Sequence, residues 1–248
     1  MNLILPPDLD DPDERKLIGE LLDACGFRGL DHVIDYGCGR GRWIWPLVER
    51  CKIVTGVDCE QSYLDTIATI AKMNDEKVQL INAMDLRSVA DRSIDGIISI
   101  STLPIVRDGD LWHDFFEQAA RVLRPGGRIL FNTFSPAMTR HKMTSLEGLR
   151  YIQSNGWRFA LDRQLGWIIL WLLSSRGSIE RGGRRHYATQ AHAVERLFES
   201  KGFQIEYDPA RLMRTTNVGL LPGYPNDPRV PEYHWWCVRK KEQQPHRD

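Results

Sequence analysis

Residues 33–41, VIDYGCGRG, set a carboxylate, Asp35, two positions before a turn in which Gly37, Gly39 and Gly41 follow a GxGxG spacing. Without Cβ atoms these glycines let the backbone turn tightly and approach a ligand closely. Turns that aim a helix N-terminus at a pyrophosphate use GxGxxG. Here the third glycine comes one residue early and an acidic residue stands just before the turn, a shape better suited to a nucleoside-like ligand without phosphate. The next apolar run, KIVTGVD, ends in Asp58 about seventeen residues after Gly41. That is close to the distance at which a βαβ unit sets an acidic side chain against a ribose, where one carboxylate accepts from both hydroxyls.

Further along come KVQLINAMDL, SIDGIISISTL, the helix-like DLWHDFFEQAARVL closed by RPGG, and RILFNTF. In this order and spacing, residues 30–134 resemble the class I, seven-strand S-adenosylmethionine-dependent methyltransferases. The GF-led strand at 202–208 and the final HWWCVRKK follow that pattern more loosely. The resemblance implies a Rossmann-like, doubly wound α/β fold with a seven-stranded, mostly parallel sheet, S-adenosyl-L-methionine as cofactor, and a methyl acceptor. By the same resemblance, Gly37, Cys38, Gly39 and Gly41 match the turn that passes under the methionine portion and ribose. Asp35 matches the acidic residue facing the cofactor's amino group and sulfonium. Asp58 matches the ribose clamp, with Cys59 along the adenine edge. Where the family reads DAxxL, its Asp accepts from the adenine amino group and the next backbone N–H donates to the ring. This chain has Asn82-Ala83-Met84-Asp85-Leu86 there. The Asn82 amide oxygen can still accept one hydrogen bond, and Asp85 is an alternative for the same contact. Ser99 and Ile100 match the carboxyl end of the fourth strand, where family members touch the methionine moiety with backbone groups. Leu103-Pro104 departs from the aromatic or His-containing sequence common after it.

Methyl transfer from a sulfonium is a direct displacement, so holding the acceptor atom in line supplies most of the acceleration. A general base is optional and helps a hydroxyl acceptor. His141, His186 and His234 fall in segments expected at the carboxyl end of the sheet. His186 and Tyr187, at the junction that borders the acceptor in related enzymes, are the best catalytic pair by position. The competing reading is a structural cap, the commoner role for a lone histidine. Arg176, Arg181, Arg184 and Arg185, interleaved with Gly177, Gly182 and Gly183, form the dense basic patch. Guanidinium forks suit carboxylate or phosphate, which points to an acidic acceptor or one on a phosphopantetheine arm; charge alone favours a flexible, solvated loop.

The elements that must position these residues alternate. Apolar patterning predicts a leading helix from Glu14, strand 31–36, helix 42–50, strand 52–58, helix 61–73, strands 77–82 and 94–100, helix 110–123 and strand 127–134. A helix at 190–200 and a strand at 203–208 follow. Such alternation means a parallel sheet with ligands at the carboxyl ends of its strands. Residues 135–188 are too long for an ordinary connection and carry a helical stripe from Trp157 to Ser175. The segment is expected to be a helical insertion that sets acceptor specificity within a single domain, 1–248. The stripe reads as a helix packed on the sheet's end or in a homodimer interface.

Lysine and arginine number 33, aspartate and glutamate 33, so no global field favours nucleic acid or an anionic membrane. The longest apolar run, WIILWLL, is far short of the roughly 20 residues that span a bilayer. The five cysteines show no CxxC or other metal spacing. With no secretory signal visible, a reduced cytoplasmic compartment is expected. The leading expectation is therefore methyl transfer to oxygen or nitrogen of a small molecule. A non-catalytic binding protein of the same fold and a protein or RNA methyltransferase are the alternatives. A nicotinamide-dependent oxidoreductase is disfavoured by the GxGxG spacing and the terminal strands.

Overall fold

The structure, a computed structural model, describes residues 3–7, 9–74, 78–83, 85–103, 109–134, 178–181, 184–187, 198–208, 211–212, 215–217, 226–227, 230–231 and 233–242. Strands β1 (His32–Tyr36), β2 (Ile53–Asp58), β3 (Val78–Asn82), β4 (Ile94–Ser99) and β5 (Leu123–Phe134) form the parallel part of a seven-stranded sheet. Outside it lie the hairpin β6 (Ser178–Arg181) and β7 (Arg184–Tyr187) and the short ribbon β9 (Asn226–Asp227) and β10 (Val230–Pro231). Strands β8 (Phe203–Tyr207) and β11 (Tyr233–Lys240) complete the main sheet in the order β3-β2-β1-β4-β5-β11-β8. β11 runs antiparallel between β5 and β8.

Each element answers to a local signal. Helix α1 (Pro12–Ala24) is capped by Asp11, whose carboxylate accepts from the Asp13 and Glu14 N–H groups, with proline in the first turn. α2 (Ile44–Val48) is a short turn of helix behind the glycine loop. α3 (Gln61–Met73) buries Leu64, Ile67, Ile70 and Ala71, spaced three or four apart, against the sheet. α4 (Gly109–Val122) turns Phe115, Phe116, Ala119 and Val122 inward on the opposite face. Ile18, Leu22, Val33, Ile98 and Trp235 pack on the α1–α3 side, and Ile34, Ile97, Phe116, Phe131, Phe198 and Trp236 on the α4 side. Neighbouring positions of one strand thus serve two cores, as a sheet covered on both faces requires.

Two expectations change. β5 begins at Leu123, four residues before the predicted start at 127. Leu123 pairs with Ile94, RPGG then loops out through Gly126 at φ 79°, and Arg128 rejoins opposite Gly96. The arginine-rich stretch, read from charge alone as a solvated loop, holds the antiparallel hairpin β6–β7, with Arg181 opposite Arg184 and Glu180 opposite Arg185. Of the predicted helix 190–200, residues 198–200 are described and helical. The stripe at 157–175, and with it the dimer expectation, lies outside the described residues, as do His141, Met84 and Pro104. Among the described residues no helix is long and apolar enough to cross a membrane.

Candidate functional site at the carboxyl ends of the parallel strands

The parallel register brings the ends of β1, β2 and β3 level, with Tyr36 beside Val57 and Asp58 beside Asn82. The loop that leaves β1 folds back over β2, where the Gly37 and Cys38 N–H groups both donate to the Val57 carbonyl at 2.7 and 3.1 Å. Gly41 N–H closes the turn on the Cys38 carbonyl at 2.9 Å. All three glycines have positive φ, 75°, 51° and 91°, a region L side chains rarely enter.

Two of these glycines differ in a way that can be measured. A Cβ on Gly37 would stand 2.0 Å from Thr102 Oγ1, whereas at Gly39, chain neighbours apart, no atom of the described residues lies within 4 Å of that position. Gly37→Ala combines left-handed strain with overpacking and should cost about 3 kcal/mol of stability, against about 1 kcal/mol for Gly39→Ala. Denaturant unfolding of both variants checks the difference; equal midpoints would contradict the packing of Thr102 under the turn.

Asp58, at the end of β2, anchors the turn with both oxygens. Oδ2 accepts the Gly39 N–H and Oδ1 the Glu60 N–H, each at 2.9 Å. A carboxylate oxygen has two acceptor positions, so each keeps one for a further donor. Asp35 is the reverse case. It is 2% exposed, and its Oδ2 has no hydrogen-bond partner among the described residues. Burial, followed by the charge of Asp58, pushes its carboxyl from the ordinary 3.8 up to about 8. An orphaned acid in that setting calls for a cationic group beside it.

The far wall is built from β3 and the head of α3. Asn82 Nδ2 donates to Gln61 Oε1 at 2.5 Å, and Gln61 Nε2 donates in turn to Asp65 Oδ1 at 2.7 Å. This chain fixes the amide of Asn82 so that its oxygen is the end left to accept. The Ala83 N–H, expected to meet a ring nitrogen, instead donates to the Asp58 carbonyl at 3.1 Å. That bond ties the end of β3 to the end of β2. Asp85, the alternative to Asn82, accepts the Arg87 N–H at 2.9 Å within its own turn. Cys59 is exposed beside Asp58; Cys38 is buried, packed 3.0 Å from where a Cβ on Gly56 would stand, its thiol raised by burial. Cys38 therefore contributes its backbone to the loop and its side chain to packing. Tyr36 is buried against Phe115, ring centroids 4.7 Å apart, and burial holds its phenol at about 12.

At β4, Ser99 ends the strand fully buried with Oγ unpartnered among the described residues, and Ile100 follows it. Ser101 adopts φ 59°, unusual for a residue with a side chain, and its N–H donates to Asn132 Oδ1 on β5 at 2.7 Å. Thr102 Oγ1 reaches the Gly37 carbonyl at 3.2 Å, tying the end of β4 to the glycine turn. Gln61, Ser101, Thr102 and Asn132 form hydrogen bonds at these strand ends that the sequence reading did not single out. The one available signal was a polar Asn-Thr pair closing the apolar strand RILFNTF. His186 and Tyr187 lie on β7, opposite Ile179 and Ser178, in a hairpin next to α4. His234 sits on β11 opposite Thr133 and His113 within α4.

A family model described as a methyltransferase domain matches residues 33–127. Over 115 residues the chain is 30% identical to the tRNA N(3)-methylcytidine methyltransferase of Schizosaccharomyces pombe, a match covering 43% of this chain and 37% of that protein. It is 31% identical over 127 residues to the 27-O-demethylrifamycin SV methyltransferase of Amycolatopsis mediterranei, covering 48% and 44%. It is 27% identical over 103 residues to the ubiquinone biosynthesis O-methyltransferase of Rickettsia akari, covering 42% and 40%. The chain thus spans roughly two fifths of the length of these relatives. Among solved structures, an S-adenosylmethionine-dependent methyltransferase from Clostridium acetobutylicum superposes with a TM-score of 0.59 at 14% identity, covering 93% of each chain. The 1,6-didemethyltoxoflavin-N1-methyltransferase of Burkholderia thailandensis, bound to 1,6-didemethyltoxoflavin and S-adenosylhomocysteine, does so at 0.55 and 16%, covering 94% of this chain and 80% of that one. At these identities the structural likeness is one of fold.

Proposed function

We propose that the chain, whose residues 33–127 match a methyltransferase domain, is a class I, Rossmann-like S-adenosylmethionine-dependent methyltransferase that methylates an oxygen or nitrogen of a small molecule. The observation that carries the cofactor assignment is Asp35: a buried carboxyl with an unpartnered oxygen, beside a glycine turn open at Gly39. When bound there, S-adenosylmethionine supplies an electrophilic methyl on a sulfonium. Asp35 faces its positive charge, Asp58 accepts from the ribose hydroxyls, and Asn82 accepts from the adenine amino group. Ser99 and Ile100, at the end of β4, border the methionine moiety. The chain's own part in catalysis is then to hold cofactor and acceptor in line and to exclude water from between them. His186 is the residue we assign as base for a hydroxyl acceptor.

The equal count of acidic and basic residues supports a small acceptor, because an RNA-binding face is ordinarily read from a basic excess. Calorimetric titration with S-adenosylmethionine, S-adenosylhomocysteine, NADH and NADPH tests the cofactor. Micromolar binding of the first pair alone is expected; binding of the nicotinamides instead would overturn the reading. Product S-adenosylhomocysteine, measured with hydroxylated and acidic small molecules in one set and unmodified tRNA in another, tests the acceptor class. Turnover confined to the tRNA set would replace the small-molecule reading.

A further inference from the structure

Toward the carboxyl edge of the sheet, the face that carries Asp35 also holds buried donors with no partner among the described residues, Asn132 and Trp43 among them. Asn132 is fully buried, and because its Oδ1 already accepts the Ser101 N–H, its amide is held with Nδ2 outward from that bond and unpartnered. Trp43, just before α2, is 4% exposed, and its indole Nε1 is likewise unpartnered. Trp235 links them: it is the direct cross-strand partner of Asn132, and its ring lies 6.0 Å from that of Trp43.

Strand geometry relates this group to the cofactor residues. Asp35 pairs with Ile98, Ile98 with Leu130, and Asn132 follows Leu130 by two residues on the same face. Two strand spacings across and two residues along put Asn132 about 12 Å from Asp35, beyond it toward the carboxyl edge. That is the side from which an acceptor must enter once Asp35 holds the methionine end. A buried donor left unpaired is costly, and native structures rarely keep one without a partner that comes and goes. Both groups here are donors only at their free ends, so the missing partner must bring lone pairs. The two indole rings beside them favour a flat one.

We propose that Asn132 Nδ2 and Trp43 Nε1 recognise the methyl acceptor through a carbonyl or carboxylate oxygen on a planar small molecule. This specificity role rests on the methyltransferase reading above.

The test uses the full chain saturated with S-adenosylhomocysteine and titrated with benzoate, acetophenone and ethylbenzene, with tryptophan fluorescence and calorimetry as readouts. The oxygenated probes should bind at least tenfold more tightly than ethylbenzene, and benzoate against acetophenone separates carboxylate from carbonyl recognition. Asn132→Leu and Trp43→Phe should each weaken the preferred oxygenated probe roughly tenfold, the worth of one buried hydrogen bond. Affinity for ethylbenzene and for S-adenosylhomocysteine should stay within about twofold. Trp43→Phe keeps the ring and removes only the N–H, so it decides the matter if Asn132→Leu fails to fold. Oxygenated probes that bind no better than ethylbenzene, or that bind both variants as well as the parent, overturn the proposal. Failure of S-adenosylhomocysteine to bind the parent overturns the methyltransferase reading, and this one with it.

Discussion

Asp58→Ala should weaken S-adenosylmethionine binding by about 100-fold or more while leaving the protein folded. Each Asp58 oxygen accepts one backbone N–H, from Gly39 and from Glu60, and has one acceptor position remaining. Hydrogen bonds from two ribose hydroxyls to a charged carboxylate are worth about 1.5–3 kcal/mol each, which sums to at least about 3 kcal/mol of binding. At about 1.4 kcal/mol per tenfold, that is the stated loss.

The fold should survive, because the stability lost is the anchoring of one turn and one N–H near the head of α3, about 1 kcal/mol for a helix-start contact. Asp58→Asn separates the two duties. It keeps an oxygen for one ribose hydroxyl but loses the charge, so its affinity should fall between parent and alanine variant. Calorimetry on all three proteins, with circular dichroism as the folding control, reads the series. Alanine and parent proteins of equal affinity would remove Asp58 from the ribose.

The elements that carry Asp58 were legible in the sequence because their signals are local. KIVTGVD is an apolar run of strand length, and the helical spacing of Leu64, Ile67 and Ile70 fixes α3 to residues 61–73 as read. The parallel pairing of the first five strands followed from the alternation of these patterns. What was not legible depends on partners far apart in the chain. Asn82 could be seen as an acceptor, but its orientation is set by Gln61, 21 residues earlier, through a side-chain contact that no periodicity reports. Ala83 was assigned a free N–H, yet the Asp58 carbonyl across the ladder takes it. Asn132 falls within the predicted strand 127–134; only the register of β4 against β5 sets it beside Ser101. The hairpin β6–β7 failed for a different reason. Its Gly182-Gly183 connection is a two-residue hairpin signal, but the flanks SIER and RRHY lack the apolar alternation that would have supported it.

Cofactor binding at pH 7 should release close to one proton, and Asp35 should be its source. With its carboxyl pushed up to about 8, Asp35 is mostly protonated at pH 7 when no cation faces it. A sulfonium and an ammonium alongside favour the carboxylate, so the proton leaves as the cofactor arrives. Affinity should therefore rise about fivefold between pH 7 and pH 8 and level off, about tenfold up, near pH 9. Titrations at pH 7 in phosphate and in Tris, whose ionisation heats differ, count the proton directly; identical heats in the two buffers would exclude Asp35 as a titrating contact. The same burial has a cost in stability, with a definite sign. Unfolded, Asp35 loses its proton near 3.8, whereas the folded protein retains it to about 8. Stability from this group is thus fully present below pH 4 and falls by about 1.4 kcal/mol per unit between pH 4 and pH 8. At pH 7 the loss is on the order of 4 kcal/mol. Asp35→Asn has the shape of the protonated acid and cannot ionise, so it should raise the melting temperature by about 10 °C at pH 7 and by much less at pH 4. It should also abolish proton release and lower S-adenosylmethionine affinity by about tenfold or more, because a neutral amide opposes no positive charge. A variant that is both more stable and poorer at binding is the signature of a carboxyl buried for its ligand rather than for the fold; a loss of stability at both pH values would mean that Asp35 serves the fold instead.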